Sequence, residues 1–440
     1  MTTFEVLQRP SPREHFAVPD TYALMGETTV RLIADLEEIH EAVGGDEHGL
    51  TFAVFGSPAR YEMLPQSDVD VLLVSEYGQE NTAYADARQA LAELPYDKVD
   101  LPHTQMITDG EFRSYAASNS PDSHTARALV VASATHALVP TEIREARKVL
   151  DRVDLQVEGL VFDYHFLNDR AARKAQDDGA NLKYSPGGTR DIVYFDWFAD
   201  YLTGGGAGHR SQATATPNIL TSMSVIHEVL DGRVSIEGLS CDVNFVNALK
   251  YLALKQRDEG AQFDGMMSRS TAEQLAVVDE LQDNQFSAEE LIEQHRQARS
   301  TISFAKDALH TVLVDILRDD ATHQEEASHL LLIDRVWDQD PTIEREKALA
   351  TLIERGRWVD LGTVVSQPDA TSEQIDQIVD VALRDEAYLH AIRIAIQHPN
   401  TESSTLLKML DAKHLATDDD IDMRYRAMLL KRVEDTYAGL

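Results

Sequence analysis

The chain has 440 residues, 43% of them hydrophobic and 26% charged, with 22 Gly and 14 Pro; this suits two or three globular domains and excludes a collagen, a low-complexity tract or a disordered tail. Forty Lys and Arg against 75 Asp and Glu give a formal charge of −35, a field that repels phosphate backbones and anionic lipid and argues against nucleic-acid binding, although a nucleotide can still enter an acidic site when divalent cations bridge the charges. Cys241 is the only cysteine, which excludes an intrachain disulfide or a Cys-rich zinc site and suits a reducing compartment.

Residues 1–20 carry charges and prolines but no apolar h-region, and no run of ~18 apolar residues follows, so a cytoplasmic protein with no membrane span is expected. Residues 21–43 place Leu24, Leu32, Ile33, Leu36 and Ile39 at helical spacing and stop at Gly44-Gly45. A first strand is expected over 51–55, halting at Gly56-Ser57, and a second over 68–74, where Asp68 and Asp70 alternate with valines before an apolar run. Residues 82–94 read as a helix closed by Pro95, and 98–101 as a third strand cut short by Pro102.

Beyond Thr141 strand signals nearly vanish. Helical patterns run over 143–177, 191–202, 217–230, 243–257 and 288–317, interrupted by a Gly/Pro loop at 179–188 and a glycine cluster at 204–208. In the last hundred residues, Gln367-Pro368-Asp369-Ala370-Thr371 and His398-Pro399-Asn400-Thr401 lie 31 residues apart, each between apolar helices, with Asp340-Pro341-Thr342 as a weaker earlier copy. Such a period suits stacked helix pairs, while Pro-Asp/Asn-Thr is also an ordinary N-cap sequence; sequence leaves both readings open.

The chemistry concentrates in residues 55–70. Asp68 and Asp70, two apart on an expected strand, project from one face and can serve one cluster of hard cations; without metal, burying both would be costly. Asp100, on the next expected strand, is placed to add a third carboxylate, and three suit two-metal phosphoryl or nucleotidyl transfer. Gly56 and Ser57, where the first strand ends, can face a phosphate with backbone N–H groups and a hydroxyl. Arg60 could contact phosphates, and Glu62 could brace Arg60 or cap the turn. His103 is more simply a surface histidine than a ligand, His165 and Asp169 a charge pair, with Asp163 on the same helix, and Trp197, Trp337 and Trp358 core or interface anchors.

Gly56-Ser57, Arg60, Glu62 and Ser67-Asp68-Val69-Asp70 resemble the signature of the DNA-polymerase-β-type nucleotidyltransferase superfamily, in the variant found in protein-PII uridylyltransferases. A second stretch, Lys183 to Asp191 with Pro186-Gly187-Gly188 and Arg190 inside it, is similar to the Lys-x-x-Pro-Gly-Gly-Leu-Arg-Asp motif that follows the catalytic domain in those enzymes. The two cover roughly residues 20–205.

The resemblance implies transfer of a nucleoside monophosphate from UTP or ATP to an acceptor hydroxyl, with pyrophosphate leaving. In protein-PII uridylyltransferases the acceptor is a tyrosine of the PII signalling protein. It further implies that Gly56 and Ser57 hold the triphosphate, that Asp68, Asp70 and Asp100 bind Mg²⁺ or Mn²⁺ with Asp100 helping to activate the hydroxyl, and that Lys183 and Arg190 meet phosphate or base from the helical side. The plainer reading of 186–191 is a tight loop with Asp191 capping the next helix. Full-length PII uridylyltransferases also carry HD and ACT domains. His323, His329 and Asp334 form no HD pattern, and the last third lacks the strand-helix alternation of ACT domains, so neither is expected.

The expected architecture is therefore a loose segment at 1–20, an α/β nucleotidyltransferase domain with a small mixed sheet at 21–140, and a helical domain closing over the nucleotide at 141–320. A C-terminal helical domain, repeat-like, fills 321–440. The expected function is metal-dependent transfer from an NTP to a protein acceptor; the rival is a nucleotide-sensing scaffold without turnover that recruits a partner through its C-terminal helices.

Overall fold

The computed structural model describes residues 21–54, 56–75, 82–96, 99–100, 106–107, 129–132, 160, 164–165, 168, 180–203, 214–230, 233–258, 265–278, 287–319, 335–337, 343–356, 358–384, 389–411 and 428–434. Residues 1–20, most of 143–177, the 204–208 glycines, Asp340 to Thr342, and the residues His103, Asp163, Asp169, His323, His329 and Asp334 lie outside these.

Helix α1 (Thr21–Ala42) buries Met25, Leu32, Leu36 and His40 along one stripe. It ends where the N–H groups of Gly44 and Gly45 bond back to the carbonyls of Glu41 and His40 at 3.1 and 2.8 Å, which satisfies carbonyls a helix end otherwise leaves open. Strands β1 (Leu50–Val54) and β2 (Val69–Ser75) pair antiparallel from Leu50↔Ser75 to Val54↔Val71. β3 (Val99–Asp100) and β4 (Met106–Ile107) both run parallel to β2, and β5 (Leu129–Ala132) pairs antiparallel with β1.

Phe52, Val54, Val69, Val71 and Leu73 are completely buried with Leu32 and Leu36 of α1 and with Ala87 and Leu91 of α3 (Thr82–Ala92). At ~1.5–3 kcal/mol for each large apolar side chain taken from water, this layer fixes the register of the sheet.

After a second small pair, β6 (Ala180–Asn181) with β7 (Met266–Met267), the described chain is helical: α4 (Thr189–Leu202), α5 (Asn218–Val229), α6 (Ile236–Asp258), α7 (Arg269–Ala276) and α8 (Ala288–Asp319). α4 packs on α5, while α6 and α7 pack on α8. Residues 191–199 of α4 are all buried, Tyr194, Phe195 and Phe198 completely, as expected of a helix enclosed on every side. Trp197 is also buried in this core, and His165 stacks on Trp337 with ring centroids 5.3 Å apart; its expected charge partner Asp169 lies outside the described residues.

The C-terminal helices are α9 (Ile343–Arg355), α10 (Trp358–Val365), α11 (Ser372–Arg384), α12 (Leu389–Gln397) and α13 (Ser403–Asp411). The two Pro-containing turns dock on each other: a His398 ring nitrogen donates to the Gln367 carbonyl at 2.8 Å, and Asn400 Nδ2 to the Ala370 carbonyl at 2.9 Å. Arg345 of α9 holds the first turn by a two-point bond to Asp369. Thr371 and Gln374 form a reciprocal capping box, whereas the Thr401 hydroxyl donates back to the Ala395 carbonyl. Leu309 and Leu313 of α8 share one buried cluster with Val336, Ala348 and Leu352. No helix among the described residues is long and apolar enough to cross a membrane.

Candidate active site

Gly56 opens the short helix α2 (Gly56–Ala59) directly after β1, with φ +62. Only glycine takes that left-handed conformation at no steric cost, so the residue is set by the turn itself. The Ser57 carbonyl then accepts the N–H of Glu62 at 2.9 Å and of Arg60 at 3.2 Å, folding the chain back on itself. Tyr61, φ +57 and buried, occupies the same region without being glycine, a strain of ~1–2 kcal/mol that packing must offset.

The carboxylates approach along the second strand. Ser67 accepts the Leu64 N–H through its hydroxyl at 3.1 Å and donates its own N–H to the Leu64 carbonyl at 2.9 Å. That turn keeps Asp68 in solvent one residue before β2, where the sequence had suggested the first strand residue. Val69, Val71 and Leu73 fill the core face of β2, so alternation assigns position 70 to the opposite face. The parallel β2/β3 register pairs Asp70 with Asp100, Cα opposite Cα. Side-chain atoms of Asp70 and Asp100 lie outside the described set. Among the described residues, no group of three His, Cys, Asp or Glu could hold a metal ion.

Arg60 is buried and bound from its own turn: its Nε donates to Glu62 Oε2 at 2.9 Å and lies 3.7 Å from Asp196 on α4. Of the two roles open to Glu62 it fills the first, bracing Arg60, and what its side chain caps is the start of another helix rather than its own turn. While bracing Arg60 it also accepts the Ile219 N–H through Oε1 at 2.9 Å, and the Arg60 carbonyl accepts the Asn218 N–H at 2.8 Å. α5 follows Pro217, which offers no side-chain cap, so the turn after the Gly-Ser step supplies the missing acceptors to a helix of the following region. Burial, then the charge of Glu62, holds the Asp196 carboxyl well above the usual carboxylate range, with Arg60 pulling the other way.

The 181–191 loop brings a second set of charges to the same place. Asn181 Oδ1 accepts the N–H groups of Lys183 and Tyr184, both at 2.9 Å, and the Arg190 N–H bonds the Lys183 carbonyl at 3.1 Å. Lys183 Nζ and the Arg190 guanidinium both lie over the Tyr184 ring, at 5.3 and 6.0 Å from its centroid. Lys250, half-buried on α6, faces them. Burial, then the positive charges of Lys183, Arg190 and Arg60, push its ammonium down to about 7, against an opposing pull from Glu62. Four basic side chains thus converge in a chain of charge −35, beside the Tyr184 ring and the carboxyl groups of Glu62 and Asp196.

Gly187 has φ +76, and a Cβ there would lie 1.9 Å from the Arg299 carbonyl oxygen; the loop rests directly on the backbone of α8. Asp191 does not cap through a Ser-like geometry at the helix start but accepts the Gly187 N–H at 2.7 Å from inside the first turn of α4.

Residues 36–119 match the family model of the nucleotidyltransferase domain. The chain carries a nucleotidyltransferase domain. This agrees with the polymerase-β-type superfamily to which the Gly-Ser and Asp-x-Asp elements are similar, and the matched span contains Gly56, Ser57, Arg60, Asp68, Asp70 and Asp100. Lys183, Arg190 and Lys250 lie beyond it. No curated protein matches the chain.

The nucleotidyltransferase domain thus opens a chain whose remaining described residues are mostly helical. Two residues at the site went unread in the sequence, Asp196 and Lys250. Each had a signal: Asp196 interrupts the apolar run 192–199, and Lys250 sits between Leu249 and Leu252 on a helix otherwise apolar around it.

Proposed function

We propose that this protein transfers a nucleoside monophosphate from UTP or ATP to a hydroxyl of a protein acceptor, a PII-type signalling protein by the resemblance of its motifs. The observation that carries the reading is the convergence of Arg60, Lys183, Arg190 and Lys250 beside the turn that follows Gly56-Ser57. A cationic cluster of that kind in so acidic a chain suits a triphosphate. The pairing of Asp70 with Asp100, two positions from Asp68, supports the carboxylate set.

Those three carboxylates are hard oxygen donors and fit Mg²⁺ or Mn²⁺, which when bound would lower the pKa of the acceptor hydroxyl and neutralise the phosphates. Gly56 and Ser57 hold the triphosphate, and Asp100 takes the hydroxyl proton. The hydroxyl oxygen bonds to the α-phosphorus as the bond from that phosphorus to the bridging oxygen breaks. Lys183, Arg190 and Lys250 bind the triphosphate's charge equally in the ground state and in the transition state. Glu62 and Asp196 hold Arg60 at the seam.

Residues 21–140 form the catalytic domain in this proposal, 141–320 the region closing over the nucleotide, and 321–440 a stack of helical repeats that presents the acceptor. The 30- and 31-residue offsets of the Asn400–Ala370 and His398–Gln367 bonds support the repeat. Incubation with each α-³²P-labelled NTP and host-cell lysate, resolved on a denaturing gel, tests the reading. A labelled band gives the base and the acceptor mass; nucleotide binding with no label from any NTP favours sensing without turnover.

A further inference from the structure

Lys306 is fully buried on α8, in the middle of the face formed by Ile302, Ala305 and Leu309. An apolar side chain would satisfy that position, so a lysine there has to be explained by what it binds. Its Nζ donates to Asp191 Oδ1 at 3.0 Å and to Asn168 Oδ1 at 2.6 Å, 5.5 Å from the centroid of the Tyr164 ring. Asp191 uses its other oxygen on the Gly187 N–H. Two turns earlier on α8, Arg299 Nε donates to the Pro186 carbonyl at 2.8 Å, and its backbone is the surface against which Gly187 packs.

The loop is therefore fixed to α8 through three separate features: the Lys306–Asp191 pair, the Arg299–Pro186 bond and the absence of a side chain at position 187. Lys183 and Arg190 stand at the two ends of that loop, and Arg190 immediately precedes Asp191 in the chain. A buried ion pair is a poor stabiliser relative to apolar packing but a strong constraint on geometry, because either charge left alone in the interior is penalised.

We infer that Lys306 is a positioning residue of the phosphate site, acting through Asp191 to hold Lys183 and Arg190 where they meet a triphosphate. This rests on the proposed reading of the cationic cluster. Lys306 itself touches no nucleotide. Misplacement of two cations by a fraction of an ångström weakens ground-state binding of the nucleotide while leaving the carboxylates on β2 and β3 as they are.

The test uses the full chain with Lys306→Met, Asp191→Asn and the double variant, titrated with Mg·UTP and Mg·ATP and assayed for label transfer. Each single variant raises the nucleotide Kd and KM by about tenfold or more, with kcat within a factor of about three. The double variant is no worse than Asp191→Asn alone, since both changes remove the Lys306–Asp191 link and only Asp191→Asn also disturbs the acceptor of the Gly187 N–H. Should Lys306→Met fail to fold, Asp191→Asn, which keeps the volume and leaves Lys306 two neutral oxygen acceptors, carries the comparison. Unchanged affinity in a folded variant, or a loss in kcat alone, overturns the positioning role while leaving the cationic cluster intact. Absence of nucleotide binding by the unmodified chain overturns the cluster reading first, and this one with it.

Discussion

Lys250 gives the sharpest prediction about the nucleotide. With its ammonium pushed down to about 7 by burial and by Lys183, Arg190 and Arg60, the residue is roughly half charged at neutral pH in the free protein. A bound triphosphate reverses the local field, so Lys250 is fully protonated in the complex up to the ordinary lysine range near 10.4. Between these limits binding takes up one proton, and affinity falls about tenfold per pH unit, or ~1.4 kcal/mol. From pH 7, where the residue is already half deprotonated, to pH 9 the loss is about fiftyfold. Calorimetric titration with Mg·UTP and Mg·ATP in buffers of different ionisation enthalpy reads this directly: close to one proton taken up at pH 8.5, almost none at pH 5.5. Lys250→Met removes the slope and weakens binding mainly at low pH. The same shift acts on folding with a defined sign. The unfolded lysine keeps its proton while the native one releases it near 7, so stability rises with pH between about 7 and 10, and Lys250→Met is the more stable protein at pH 6. An equal pH slope in wild type and Lys250→Met refutes the reasoning.

Gly187→Ala forces a Cβ to within 1.9 Å of the Arg299 carbonyl oxygen at φ +76; a loss of ~2–4 kcal/mol or a failure to fold is expected in denaturant melts. Glu62→Ala removes the acceptor for Ile219 at the start of α5 together with the Arg60 partner, and ~1–3 kcal/mol of stability should go with it. His295 is buried on α8, its imidazole pushed down to about 3 by burial and by Arg299. The unfolded histidine therefore binds a proton that the native one does not between about 6.5 and 3, and stability falls as pH drops through that window by up to ~1.4 kcal/mol per unit. Acid titration of stability should flatten in His295→Gln; a curve parallel to wild type argues against the assignment.

Periodicity made the long elements legible. The apolar spacing of 21–43 and 191–202 anticipates α1 at Thr21–Ala42 and α4 at Thr189–Leu202 within two residues, because each helix buries a stripe or its whole circumference. Among the two-residue strands β3 lies inside the stretch expected over 98–101, whereas β4, β6 and β7 exist only through their partners, and nothing in Met106-Ile107 or Ala180-Asn181 announces them. Asp68 sits one residue outside β2 because the Ser67–Leu64 turn, a matter of one hydroxyl, holds the chain back. The motif residues Gly56, Asp70 and Asp100 were readable as types at a spacing. Lys250 and Lys306 were not, since a lysine inside an apolar pattern declares itself buried but not what it faces; that depends on α6 and α8 meeting a loop more than 50 residues away in the chain.

The central claim is that the Asp70–Asp100 register places carboxylates for nucleotidyl transfer. Pyrophosphate release, measured in a coupled assay with Mg²⁺, NTP and lysate-derived acceptor, compares wild type with Asp70→Asn, a change that keeps volume and removes one negative charge. The account predicts Mg²⁺-dependent release by the wild type and a fall of ~10³-fold or more in the variant, with an unchanged melting temperature. Release by a folded Asp70→Asn protein at the wild-type rate would contradict it.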